Sequence, residues 1–380
     1  MAFVLAEKLH SKKDRIFHLS LDRTTSIVAC VFLAIFCLER LYMPGRTSGS
    51  FNSLIYGSSF VLAFSVLAFN ARKVSYGLKD FCFVAAVFYF LLWAYDSHAV
   101  QYAVIVMVVM LAGKLVIDDM LDFHRTLVVL GLVFSCIYCI GEERWSGFLN
   151  NSAPVFSLIM IISMAYLLFH PKAKHVDILL SLVALFLIFM TETRITLLVA
   201  LVLVVARFFS ETSKRVAAYF ARHKFMLVIV LTIIFIFVFS NYELLLSIIS
   251  RSNGDASSAT RIGLMQGVCS QWLQNGGTFF FGNKGGFAMQ YVALLDPTVS
   301  GNMPVHQDIL MLLCDYGIIG FGLFCFAFSS FAAKWPWYAL LILAMATFHN
   351  VFTAGVAFLL LILSFNSLAN AIAEGRTNNA

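Results

Sequence analysis

Charge is scarce in this chain. Only 12% of its 380 residues are Asp, Glu, Lys or Arg, and 61% are apolar. Soluble domains average about 25% charged and about 45–50% apolar. With a mean hydropathy of +0.88, that deficit excludes an ordinary soluble fold and points to a polytopic membrane protein. Cysteine outside apolar runs is nearly absent. Seven of the eight (Cys30, Cys37, Cys82, Cys136, Cys139, Cys314 and Cys325) lie within such runs. Cys269 alone lies in the long polar loop, so no disulfide within that loop is available to it. Cys136 and Cys139 sit in a span and read as small apolar filler. No carboxylate cluster has metal-ligand spacing, so neither a metal nor a cofactor is expected. No repeat or low-complexity linker divides the chain, and residues 1–380 read as one membrane domain. A small-residue cleavage site after the first apolar run is also lacking, so the basic segment before that run reads as a retained signal anchor.

Apolar runs are what the chain has in plenty. They fall near 25–43, 53–69, 81–95, 99–117, 126–141, 154–169, 176–190, 195–209, 225–240, 309–332, 336–349 and 352–372. These predict an all-α bundle of about twelve transmembrane helices, interrupted by one long polar loop over 241–305. Alternation of the spans puts only Arg40, Arg46, Arg144, Arg194, Arg251, Arg261 and Lys284 on one side. The other 19 of the 26 Lys and Arg fall on the side of the N-terminus. The positive-inside rule then makes both termini cytoplasmic. It also explains the net charge of +6 as a topology signal, with no nucleic-acid partner implied.

The few basic residues outside are the candidates for function. Arg194 lies in FLIFMTETRITLLVALVLV, a hairpin whose polar residues are Thr191, Glu192, Thr193 and Arg194. A charge there is costly unless it faces a cavity or a partner; the alternatives are a pair with Glu192 or snorkelling. Arg144, in EERWSGFLNNSAP, is either a supporting residue or a solvated loop arginine beside Glu142 and Glu143. In the long loop, apolar spacing predicts an amphipathic helix over 260–274, with Ser257, Ser258 and Thr260 as candidate N-caps. Asn275-Gly276-Gly277 is its stop. Arg261 then falls in the first turn, where a cation opposes the helix dipole unless an anion binds beside it. Phe281-Gly282-Asn283-Lys284-Gly285-Gly286 reads as a turn or a close backbone approach, with Lys284 a further phosphate contact.

His306 opens the span that follows. A positive helix end and nearby arginines favour its neutral form, which accepts a proton. Asp308 is either a competing base or a complement to the dipole. Gly317 and Gly320 read as close helix packing.

Three of these segments together resemble the O-antigen ligase and polymerase superfamily of bacterial envelope glycosyltransferases. RWSGFLNN (Arg144–Asn151) is similar to its arginine-glycine-asparagine segment. TETRITLL (Thr191–Leu198) is similar to its threonine- or serine-arginine hairpin, more in the ligase form. HQDILMLLCDYGIIG (His306–Gly320) is similar to its histidine–leucine–glycine signature. Gln307 stands where Asn or Ser is commoner, and Asn151-Ser152 replaces Asn-Pro. The resemblance implies a GT-C-like fold in the bacterial inner membrane, with the active site facing the periplasm. It implies an undecaprenyl-diphosphate-linked glycan donor, a lipid A–core or lipid-linked glycan acceptor, inversion, and no required metal. Carried over, Arg194 and Arg261 grip the diphosphate, His306 is the catalytic base, and Arg144 supports. A ligase is the first reading, a repeat-unit polymerase the second. A lipid-linked oligosaccharide transporter is the rival from another class, disfavoured because the suspect charges gather on one side instead of along a crossing path.

Overall fold

Helices follow one another along the chain wherever a long apolar run meets a polar break. The computed structural model describes residues 17–18, 78–94, 100–112, 115–116, 119–149, 153–209, 256–295, 307–332 and 355–377, with single positions at 215, 219, 222, 223, 233, 237, 345, 346 and 351. In chain order the elements are β1 (Phe17–His18), α1 (Leu78–Leu92), α2 (Val100–Ala112), β2 (Leu115–Val116), α3 (Leu121–Tyr138), α4 (Ala153–Phe169), α5 (His175–Met190), α6 (Arg194–Phe208), α7 (Ala256–Trp272), α8 (Gly276–Phe281), α9 (Phe287–Leu295), α10 (Asp308–Ala332) and α11 (Gly355–Thr377). The architecture is helical; β1 and β2 form a single two-residue parallel pairing. The apolar runs at 25–43, 53–69, 225–240 and 336–349 lie outside the described residues.

Two compact units make up the chain: 1–75 with 111–215 and 354–380, and 76–110 with 216–353. In the first unit α4 is the central helix, packed by α3, α5, α6 and α11. It is apolar all round (APVFSLIMIISMAYLLF), as a helix enclosed on every side must be. Phe156, Ile159, Met160, Met164, Ala165 and Leu167 have no exposure. Its neighbours turn apolar residues outward. On α5 these are Leu179, Leu182, Phe186 and Phe189, a stripe at helical spacing. Such a stripe is costly in water and stable against lipid.

In the second unit α10 is the organising helix, packed by α1, α7, α8 and α9. Among the described residues, Leu121–Tyr138 and Asp308–Phe326 are long and apolar enough to cross a membrane. Two expectations are corrected here. The run at 99–117 is not one helix: α2 stops at Ala112, and Leu115–Val116 pairs with Phe17–His18. The run at 309–332 is not a regular helix either. Gly317 has φ 65 and ψ −170, a break inside α10.

Candidate active site

The first unit joins two of the predicted loops. α3 and α5 run in the same direction, since Arg125 near the start of α3 grips Asp177 near the start of α5 (Nε–Oδ1 2.6 Å, Nη2–Oδ2 2.8 Å). Their far ends therefore meet. There Trp145 N–H donates to Met190 O at 3.1 Å, and Arg144 Nε donates to Thr191 O at 3.2 Å. The Arg144 connector and the Thr191–Arg194 hairpin thus lie together at one end of this unit.

Each loop has a local reason for its shape. Gly147 has φ +58, and a Cβ there would stand 2.2 Å from the Phe156 ring. Only glycine meets both demands, and the turn it makes carries Arg144. In the hairpin, Thr191 and Thr193 are buried while Glu192 and Arg194 are exposed. Thr191 Oγ1 donates to Ile188 O at 2.7 Å, tying the hairpin to α5. Thr196 ties it to α4, its Oγ1 accepting from Ser157 Oγ at 3.1 Å. Glu192 takes a left-handed backbone, φ 54, as the apex of the turn.

Arg194 is the first residue of α6. The N-cap Thr193 makes no side-chain capping bond, and the first turn holds no acidic residue. Among the described residues Arg194 has no ion-pair partner, Glu192 included. Neither Glu142 nor Glu143 pairs with Arg144, whose two Nη groups also lack partners among the described residues. This end therefore gathers two guanidinium groups and an uncapped helix N-terminus. A cation there opposes the dipole by about 0.3–1 kcal/mol, and an anion would reverse that balance.

The second unit carries the remaining candidates. α7 begins at Ala256, four residues earlier than expected. Ser257, Ser258 and Thr260 are inside it, and Arg261 falls in the second turn, not the first. The argument from a shared helix start at Arg261 is thereby lost. The stop at Trp272 agrees with expectation, but Asn275 has a further role. It caps α8: its Oδ1 accepts from Thr278 N–H at 3.0 Å, and Thr278 Oγ1 accepts from Asn275 N–H at 3.2 Å. Burial pushes the Cys269 thiol up to about 12, which removes it as a nucleophile at neutral pH.

The glycine-rich loop is docked onto the break in α10. Asn283 N–H donates to Cys314 O at 2.8 Å, and Lys284 N–H to Asp315 O at 3.1 Å. Tyr89 Oη donates to Tyr316 O at 3.1 Å. The carbonyls released by the break are thus satisfied inside the protein, the condition for irregular backbone in an apolar helix. The contact is backbone on backbone. A Cβ on Gly282 would lie 2.3 Å from Asp315 O, and one on Gly317 would lie 2.4 Å from Phe280 C. The close packing read at Gly317 is therefore present, against the end of α8 and the residue that follows it. Gln307 and Asp308 are buried at the start of α10, Asp308 with no exposure, so its carboxylate sits within the protein at the positive helix end. Lys284 is exposed. His306 and the side chain of Arg261 lie outside what is described.

The family model described as O-antigen ligase matches residues 179–325. The resemblance to the O-antigen ligase superfamily holds over that stretch. It spans the Arg194 hairpin, α7, the glycine-rich loop and most of α10, and so includes Arg194, Arg261, Lys284, His306 and Asp308. Arg144 precedes it. Members of the O-antigen ligase family are membrane-embedded glycosyltransferase-like enzymes that handle lipid-linked glycans. No curated protein gives a match to the chain.

Sequence reasoning passed over three residues here. They are Asp315, Asn283 and Arg125, whose partners the sequence does not signal. Each pairs with groups at least 27 residues away in sequence, and no local pattern signals such a pairing.

Proposed function

We propose that this protein is an inverting glycosyltransferase of the bacterial inner membrane that passes a lipid-diphosphate-linked glycan to a sugar hydroxyl. The bundle is of about twelve spans and GT-C-like, and the reaction takes place at the periplasmic face. The donor is an undecaprenyl-diphosphate-linked polysaccharide and the acceptor a hydroxyl of lipid A–core, the ligase reaction. The observation that carries this is Arg194, exposed and without an ion-pair partner among the described residues, at a helix start with no side-chain cap inside the O-antigen ligase match.

The chemistry follows from the residue types. The acceptor oxygen attacks the anomeric carbon as the bond from that carbon to the phosphate oxygen breaks. The lipid diphosphate leaves with the electron pair, and Arg194 and Arg261 stabilise the charge that develops on it. Arg144 supports them. His306 takes the proton of the attacking hydroxyl. With arginines on the leaving group, no divalent ion is required.

Purified protein is expected to transfer labelled glycan from the lipid-linked donor without nucleotide or added metal. His306→Ala and Arg261→Ala abolish transfer while the protein still inserts. Full activity of His306→Ala removes its role as base. In cells, deleting the gene leaves lipid-linked polymer unattached to core; accumulation of single lipid-linked repeats instead indicates the polymerase. Transbilayer movement of the donor without transfer would indicate the transporter.

A further inference from the structure

Asp315 closes a clamp on the glycine-rich loop. It is 1% exposed, and both carboxylate oxygens are used. Oδ2 accepts from Gly286 N–H at 2.8 Å, and Oδ1 from Ala288 N–H at 2.8 Å. Its carbonyl accepts from Lys284 N–H at 3.1 Å, while Gly285 N–H donates to Trp93 O at 2.9 Å. Every one of these bonds lies within the second unit. Together they hold Lys284 at φ 92 with its side chain exposed.

That conformation is strained for lysine and free for glycine. The same loop places glycine at its other left-handed positions, Gly282 (φ 76) and Gly286 (φ 91). A loop that only had to turn would be served by glycine at 284 as well. Strain over-determined by its surroundings and ending on an exposed cation has the form of a binding device.

We infer that Asp315 is a positioning residue for Lys284, and that the Lys284 ammonium contacts an oxygen of the donor diphosphate. This rests on the glycosyl-transfer reading above and adds a ligand to it. An ammonium is a point charge without the fork of a guanidinium. It therefore binds donor and departing diphosphate alike, and its loss raises KM more than it lowers kcat. Because Asp315 acts through Lys284, the two are coupled.

The test uses the full-length protein and a labelled lipid-diphosphate-linked glycan. Lys284→Ala and Asp315→Asn each raise the donor KM roughly tenfold with kcat held within about twofold, and the double variant is no worse than the worse single one. In Asp315→Asn an amide N–H₂ replaces one acceptor and faces a backbone N–H. Lys284→Gly removes the ammonium and relieves the strain, so it raises both the donor KM and the thermal midpoint. Inorganic diphosphate inhibits Lys284→Gly about tenfold less well than the parent protein. Effects that multiply in the double variant overturn the coupling. A parental donor KM in Lys284→Gly overturns the contact even if Asp315→Asn does not fold. Unchanged inhibition by inorganic diphosphate assigns the ammonium to a lipid headgroup and overturns it too. Activity in His306→Ala sinks the base assignment alone and leaves the KM signature to be judged separately.

Discussion

The two ends of the first unit treat charge in opposite ways. At one end the described carboxylates near the helix starts are each met by a basic side chain. Arg125 grips the fully buried Asp177 with two nitrogens and reaches Asp122 with a third at 2.7 Å. His170 Nε2 lies 3.2 Å from Asp119, and Lys172 lies 3.9 Å from it. At the other end Arg194 has no partner among the described residues, and Arg144 has only a carbonyl on Nε. The same residue type thus serves two purposes. Arg125 neutralises a carboxylate that water cannot reach, so it belongs to the fold. Arg194 meets no carboxylate among the described residues, and its exposed guanidinium is open to an anionic ligand.

The sharpest way to break this contrast is to remove each arginine in turn. Arg194→Ala is expected to lower glycan transfer about 10²–10³-fold, the range for losing one preorganised electrostatic donor, with the protein still folded. Arg125→Ala is expected to do the reverse. It leaves buried Asp177 with the Lys174 N–H (2.7 Å) and no cation, at a cost of about 3 kcal/mol, and is read as lost folded protein in detergent melts, with activity per folded molecule preserved. Loss of yield in Arg194→Ala, or of turnover in folded Arg125→Ala, would collapse the distinction.

Arg144→Ala should show a smaller effect, because its Nε bond to Thr191 O is partly structural. Losing a charged donor of that kind costs about 1.5–3 kcal/mol, divided between hairpin order and transfer. Arg144→Lys restores the charge without the fork and is expected to recover little.

The smallest effect belongs to Asp119, outside the span. Burial pushes its carboxyl up, but the hydrogen bond from His170, that from Leu121 N–H, and the nearby charges of His170 and Lys172 outweigh it, so the group is held below the usual carboxylate range. A depressed acid contributes stability that is complete above its ordinary value, about 3.9, and is lost as pH falls through the lowered one. Asp119→Asn should therefore lower the neutral thermal midpoint slightly and converge with the parent as pH falls below about 4, which flattens the acid limb. The carboxylate is 38% exposed, so solvent screening keeps the effect small.

How far these features could be read from the chain depends on the distance over which they are determined. α4, α5 and α6 begin within one residue of expectation, at Ala153, His175 and Arg194. Their apolar runs end abruptly on polar connectors, a local signal. The sidedness of Arg144 and Arg194 was legible for the same reason, since alternating spans oblige two connectors two spans apart to share an end. The break at Gly317 was not legible. The run ILMLLCDYGIIGFGL is apolar on both sides of Asp315-Tyr316-Gly317, and the groups that satisfy the freed carbonyls come from Asn283, Lys284 and Tyr89. The start of α7 was misplaced because Ser257, Ser258 and Thr260 have the chemistry of caps while lying inside the helix. Propensity at those positions gave way to helix continuity from Ala256. Asn275 was read as part of a stop because its capping partner Thr278 belongs to a helix too short to show periodicity.

The central claim is that the exposed guanidinium of Arg194 binds the diphosphate of a lipid-linked glycan. Binding of undecaprenyl diphosphate to the purified protein tests it most directly, with Arg194→Ala and Arg125→Lys compared at several salt concentrations. The account predicts that Arg194→Ala loses most of the affinity and its salt dependence, while folded Arg125→Lys binds as the parent does. Undiminished, equally salt-sensitive binding by Arg194→Ala would contradict it.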